Sequence, residues 1–138
     1  MDVYKTKSVR LPSTHWDKVM EKAFGQYKII KNKTKRRPYV RSAYFDKEKI
    51  FLGLFWHHLH EKNNIRDKTR RLKYFPCAIE LIQNSKIKPT TQTSKEEPNI
   101  SLHRFAGVTP DNNSFFVQIK ENTKNGQKWL ISVFPHDE

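Results

Sequence analysis

Leu102 to Phe134 reads LHRFAGVTPDNNSFFVQIKENTKNGQKWLISVF, and its local grammar decides the fold class. Three runs rich in β-branched and aromatic residues, Leu102–Val108, Ser114–Glu121 and Lys128–Phe134, alternate with two clusters of turn formers. Pro110-Asp111-Asn112-Asn113 breaks the first run from the second. Asn125-Gly126, inside the second cluster, is the strongest short hairpin signal, because both residue types tolerate positive φ. Pro135 stops the third run. The stretch therefore predicts a three-stranded antiparallel meander. Alternation assigns the faces: Phe115, Val117 and Ile119 share one side of the second strand, and Phe116, Gln118 and Lys120 the other. In the third strand the same rule puts Trp129, Ile131 and Val133 on one side, and Lys128, Leu130, Ser132 and Phe134 on the other. The sheet thus has an apolar face that earlier helices must cover, and a mixed face of aromatic and polar residues. His103 and Arg104 are adjacent on the first strand, so only one of them can join the mixed face.

Working outward, residues 84–99 (NSKIKPTTQTSKEEPN) are polar, carry two prolines and show no periodicity, which reads as a flexible linker. Before it lies helical patterning. Trp16, Val19, Met20 and Phe24 fall at helical spacing, with Gly25 a plausible stop. Tyr27–Ile30 reads as a short strand, and Tyr39–Phe45 as a fourth strand or extended connector. Asp46 is a good cap for a helix carrying Ile50, Phe51, Leu54, Phe55 and Leu59; Gly53 inside it suggests close approach of another backbone. Asn63-Asn64 ends that helix, Arg66–Tyr74 forms another, and Pro76 starts a last one with Cys77 among its core residues. The fold class is α+β: residues 1–83, a basic helical part, pack on a three- to four-stranded antiparallel sheet at 100–135, within one domain spanning 1–138.

Charge is unevenly spread. Residues 1–75 hold 20 of the 27 Lys and Arg and 7 of the 14 Asp and Glu, whereas residues 76–138 hold 7 of each. The whole excess of +13 therefore sits in the N-terminal half, and such segregation favours a polyanionic partner, RNA or DNA first among them. Two stretches are the expected contacts. Lys31, Lys33, Lys35, Arg36 and Arg37 form the densest basic run, followed by Arg41. On the Arg66–Tyr74 helix, Arg66, Arg70 and Lys73 share a face beside Arg71, and Tyr74 offers a ring for base stacking. No apolar run is long enough to span a membrane, and the first residues lack the apolar core of a secretory signal. With a single cysteine, the chain is expected in the reducing cytoplasm.

Candidate chemistry is narrowed by composition. Only four glycines are present, with no phosphate-cradling loop, and the acidic residues are scattered rather than clustered for Mg²⁺. His57, His58 and His60 do not have the spacing of a zinc site, so neither metal nor cofactor is expected. A nuclease with this inventory would be metal-independent and let the RNA 2′-hydroxyl act as nucleophile, needing a base, an acid and cations around the phosphorane.

The stretch His103-Arg104-Phe105-x-Gly107-x-Thr109, then Phe116-x-Gln118-x-Lys120, then Ser132-x-Phe134-Pro135, resembles in layout the catalytic strands of the barnase–EndoU–colicin–RelE (BECR) group of small ribonuclease toxins, over about 35 residues. The resemblance implies a ribonuclease carried by phages or other mobile elements, with an acidic antitoxin as partner. It implies His103 as general base or acid, Arg104 as phosphate clamp, Lys120 as charge stabiliser, and Thr109, Gln118 and Ser132 as positioning residues. Two other readings compete: a non-enzymatic nucleic-acid-binding accessory protein of a mobile element, and a module that binds an acidic protein.

Overall fold

The computed structural model describes residues 2–61 and 63–136. Its order is β1 (Tyr4–Lys5), α1 (Trp16–Thr34), β2 (Tyr39–Arg41), β3 (Lys49–Phe51), α2 (Gly53–Glu61), α3 (Ile65–Leu72), α4 (Phe75–Asn84), β4 (Thr90–Thr93), β5 (Ile100–Val108), β6 (Ser114–Asn122) and β7 (Lys128–Pro135). The class is mixed α+β. The expected meander is β5–β6–β7, antiparallel throughout. It is the centre of a larger sheet, β1-β5-β6-β7-β3-β2, with β4 also on β5.

That sheet corrects the expectation of three or four antiparallel strands. Among the described residues it has seven, and β1 on β5 and β3 on β7 run parallel. Three of its strands come from residues 1–83, which are therefore not purely helical. A fourth, Thr90–Thr93, comes from the stretch read as a linker. Its TTQT sequence gives no apolar alternation because every residue of this edge strand is exposed; β-branched threonine and a free edge on β5 suffice. The sheet curls, so that Tyr44 and Phe45, in the β2–β3 connection, pack against Phe105 of β5, with ring centroids 5.6 and 6.0 Å apart.

The helices also differ from the sequence pattern in instructive ways. α1 runs through Gly25 to Thr34, because Tyr27 and Ile30 extend the apolar stripe of Trp16, Met20 and Phe24 against the core. That burial outweighs the cost of one glycine, about 1 kcal/mol, and Tyr27–Ile30 is helix, not strand. The helix expected from Asp46 onward instead begins at Gly53; Lys49–Phe51 is drawn into the sheet beside β7. Gly53 opens α2, and a Cβ there would meet nothing, so no backbone presses on it. α3 starts where Asn64 caps it, its side chain accepting from Asp67 N–H at 3.0 Å. α4 starts at Phe75, with Pro76 in its first turn as expected, and buries Phe75, Cys77, Ala78, Ile79, Leu81 and Ile82 against the inner face of the sheet. Burial pushes the Cys77 thiol up to about 11, which makes it an inert core residue.

β7 carries the main correction to side-chain facing. Gln118 pairs with Ser132, but Ile119 pairs with Leu130, so Ile131 is a bulge. Before the bulge the alternation is inverted: Lys128 and Leu130 point inward, with Val133 after it. The sheet's share of the core is therefore Phe105, Phe115, Val117, Ile119, Leu130 and Val133 under α4, α2 and α1, and Lys128 is buried as well.

Gly107 lies where a side chain of α4 and the neighbouring strand both press on β5. A Cβ there would lie 2.7 Å from the buried Phe115 ring and 2.9 Å from Leu81 Cδ1. Gly107→Ala should destabilise the fold by about 1–3 kcal/mol through overpacking. Urea unfolding is expected to show a lower midpoint at an unchanged slope; an unaltered midpoint would mean the contact relaxes freely.

Candidate nucleic-acid interface and basic cavities

The outer face of the meander is built in three cross-strand rows. Ala106, Phe116 and Phe134 form the first, Arg104, Gln118 and Ser132 the second, and Leu102, Lys120 and Trp129 the third. Four of the six candidate catalytic residues thus share this face. Arg104 donates from Nη2 to Gln118 Oε1 at 3.4 Å and lies over both Phe116 and Phe134, 5.4 and 5.2 Å from the ring centroids. Arg71 on α3 reaches across, donating from Nη1 to Ser132 Oγ at 3.2 Å while its Nε holds Asp67 at 3.0 Å. Its guanidinium stands 5.6 Å from the Phe134 centroid. Lys120 stands 5.9 Å from the Trp129 centroid. Planar rings interleaved with guanidinium groups are a surface on which unpaired bases stack and phosphates are neutralised.

The other two candidates do not join them. His103 is on the inner face, 8 % exposed, with Nδ1 2.8 Å from Thr91 Oγ1 and Nε2 2.7 Å from Glu121 Oε1. It sits edge-on to Phe45, at 5.0 Å between ring centroids. Glu121 also faces Lys128 Nζ at 3.6 Å, and that ammonium, 4 % exposed, holds Glu48 at 2.8 Å and the Gly126 carbonyl at 3.0 Å. This chain of hydrogen bonds and ion pairs, buried at His103 and Lys128 and exposed at Glu48, ties β4, β5, β6, β7 and the β2–β3 loop together. Thr109 is 3 % exposed and holds the β5–β6 turn, donating to Asp111 Oδ1 and accepting from Asn113 N–H.

The β5–β6 turn leads to a cavity of about 330 Å³ that the sequence pattern only half reveals. Arg70, Lys73 and Tyr74 line it from α3 and its end, as the basic row suggested. Arg10 and His136 line it too, from opposite ends of the chain. Burial, and then the Arg10 guanidinium, push the Lys73 ammonium below its ordinary value. Burial raises Tyr74, whose ring stacks on Phe115 at 5.1 Å. Arg10 stands 5.9 Å from the Tyr74 centroid and 3.7 Å from Asp111 Oδ2, and its buried Nε has no acceptor among the described residues. His136 is exposed, anchored by its N–H to the Ser114 carbonyl at 3.0 Å, and packs edge-on to Phe116 at 5.3 Å. Through that contact a residue lining the cavity touches the Phe116 row of the outer face. Arg66 lines a neighbouring groove with Asn64, Asp67 and Arg70.

No family model, curated protein or solved structure matches the chain.

The other basic run lies elsewhere. Lys31 and Lys33 are in the last turn of α1, Lys35 ends it at φ 62°, and Arg36 and Arg37 follow. Arg37 covers the Phe51 ring at 4.2 Å. Lys33 and Arg41 line a second cavity, of about 830 Å³, beyond the C-terminal end of α4. The helical histidines join neither cavity; His57 pairs with Glu61 at 2.9 Å. Among the described residues no group of three or more His, Cys, Asp or Glu side chains is placed to hold a metal ion, and no helix is long and apolar enough to cross a membrane.

Arg10 reaches the smaller cavity because Glu80 fastens the N-terminal arm. Its carboxylate accepts from Tyr4 Oη, Lys7 N–H, Ser8 N–H and Ser8 Oγ, all at 2.7–2.8 Å. Burial opposes ionisation of Glu80, but these four bonds outweigh it and hold the carboxyl below its ordinary value. Burial and the Glu80 bond push the Tyr4 hydroxyl up to about 12. A carboxyl with a depressed folded pKa stabilises the protein above its unfolded value, near pH 4.3, and that contribution is lost as pH falls through the folded value. Glu80→Gln should therefore lower the thermal midpoint at pH 7 and flatten its fall between about pH 5 and pH 3. A variant that falls as steeply as the wild type would remove Glu80 from the account.

Proposed function

We propose that this chain is a metal-independent ribonuclease. It holds a single strand on the outer face of β5–β6–β7 and the scissile phosphate in the smaller basic cavity. The observation that carries the reading is the convergence of His136, Lys73, Arg70, Arg10 and Tyr74 on one cavity beside a surface of rings and guanidinium groups. His136 takes the proton of the 2′-hydroxyl as its oxygen attacks the adjoining phosphorus. The cations of Arg10 and Arg70 meet the charge that builds on the non-bridging oxygens. Lys73, made a readier acid by burial and by Arg10, protonates the departing 5′-oxygen as the P–O5′ bond breaks. The products are a 2′,3′-cyclic phosphate and a 5′-hydroxyl end. Arg104, Gln118, Ser132 and Lys120 bind and orient the strand, and His103 and Thr109 support the scaffold. The resemblance of strand layout to the BECR toxins supports extending this proposal to a protein of the cytoplasm, carried by a mobile element and neutralised by an acidic antitoxin seated on this cationic face.

The second reading, a nucleic-acid-binding accessory protein without turnover, is favoured by the basic residues 31–41, which lie apart from the smaller cavity. Incubating purified protein with single-stranded RNA in excess EDTA separates the two. Cleavage to cyclic-phosphate ends is expected. Intact RNA, bound with an affinity that falls steeply with salt, would leave only the accessory role.

A further inference from the structure

We infer that the larger basic cavity, at the C-terminal end of α4, is a nucleotide-binding site separate from the one proposed for the chemistry. Its volume, about 830 Å³, is within the range of small-molecule sites. Lys33, Arg41, Lys47 and Lys86 line it, against the single carboxylate of Asp46. None of these four cations is ion-paired among the described residues. Like charges gathered round one cavity raise one another's energy, and an anion relieves it. Tyr39 and Tyr44 line the same space, half-buried, and add ring surface for a planar base.

The wall is held in an unusual shape. Asp46 and Lys47 are consecutive non-glycine residues in the left-handed region, at φ 51° and 66°. The surrounding bonds over-determine that conformation. Arg41 Nη1 donates to the Lys47 carbonyl at 2.9 Å, Ser42 Oγ accepts from Phe45 N–H at 3.0 Å, and Glu48 is fixed by the buried Lys128. Backbone held this way clusters at ligand sites. Phosphate-binding cations, ring surfaces and a fixed loop together describe a site for a nucleotide.

That nucleotide is either free or part of a longer strand. The cavity's Gln83 is in the last turn of α4, whereas Tyr74, at the first, lines the smaller cavity. The helix between them rises about 15 Å, at 1.5 Å per residue, so a strand of several nucleotides engages both ends.

The test uses the full chain with AMP and with a twelve-residue 2′-O-methyl oligouridylate, which lacks the 2′-hydroxyl needed for cleavage, following the ring signals of Tyr39 and Tyr44 by NMR and affinity by fluorescence anisotropy. The paired variant Lys33→Glu/Lys86→Glu alters exposed side chains; Lys33→Gln/Lys86→Gln serves if charge reversal disturbs folding. Tyrosine shifts on adding ligand to the wild type, and at least a tenfold loss of affinity in the variant, are expected. Shifts with AMP identify a free nucleotide, and shifts with the oligomer alone identify a strand. Unmoved tyrosines with both ligands, or a variant that binds as well as the wild type, would overturn the site. The outcome is independent of cleavage: a protein that binds here but leaves RNA intact loses only the ribonuclease reading.

Discussion

His136→Ala is expected to slow RNA cleavage by about 10²–10⁴-fold, the contribution of a positioned general acid or base. The side chain is exposed and packs on the Phe116 ring, so the variant should fold with a thermal midpoint close to the wild type. RNA affinity should change little, because Arg10, Arg70, Lys73 and the guanidinium–ring surface remain. The loss would therefore fall on kcat rather than on KM. His103→Ala makes the contrast. It removes a buried ring bonded to Thr91 and Glu121, so it should lower stability while leaving the turnover of the folded fraction intact. Single-turnover cleavage of a labelled oligonucleotide by both variants, beside their thermal melts, decides the matter. A His136→Ala protein that cleaves at the wild-type rate would move the chemistry out of this cavity.

Lys128→Met should cost about 3–5 kcal/mol, the range for breaking a buried charge pair from one side. The ammonium is buried beneath Phe45, 4.8 Å from its centroid, and its removal leaves Glu121 facing the core without its cation. Glu48 is largely exposed, so its own loss counts for little. Against a total stability of about 5–15 kcal/mol for a domain, the change should be plain in urea unfolding. Adding Glu121→Gln should restore part of the loss, since the neutral amide no longer needs a cation and still offers His103 an acceptor. If the double variant is as unstable as the sum of its parts, the two residues act independently and the buried charge is not the cause.

The sequence by itself determined the central meander, its turns, the α3–α4 pair and the inward facing of Phe115, Val117 and Ile119, because these follow from period and turn chemistry within ten or so residues. It also determined that Phe116, Gln118 and Lys120 share the mixed face, which alternation alone dictates. The tertiary structure decided the rest. The bulge at Ile131, which turns Lys128 inward, depends on how β7 registers against β6 and carries no local signal. β1, β3 and β4 are strands only because β5 and β7 offer them edges; their two to four residues hold too little pattern to declare themselves. Whether His103 or Arg104 faced outward was left open by two adjacent positions and settled by the core beneath them. The smaller cavity was legible only from one side, as the row Arg70–Lys73–Tyr74. Arg10 and His136 reach it from opposite termini, brought there by the Glu80 latch and the end of β7. Such a convergence has no period to read, since it is created by chain segments that meet only once the sheet has formed.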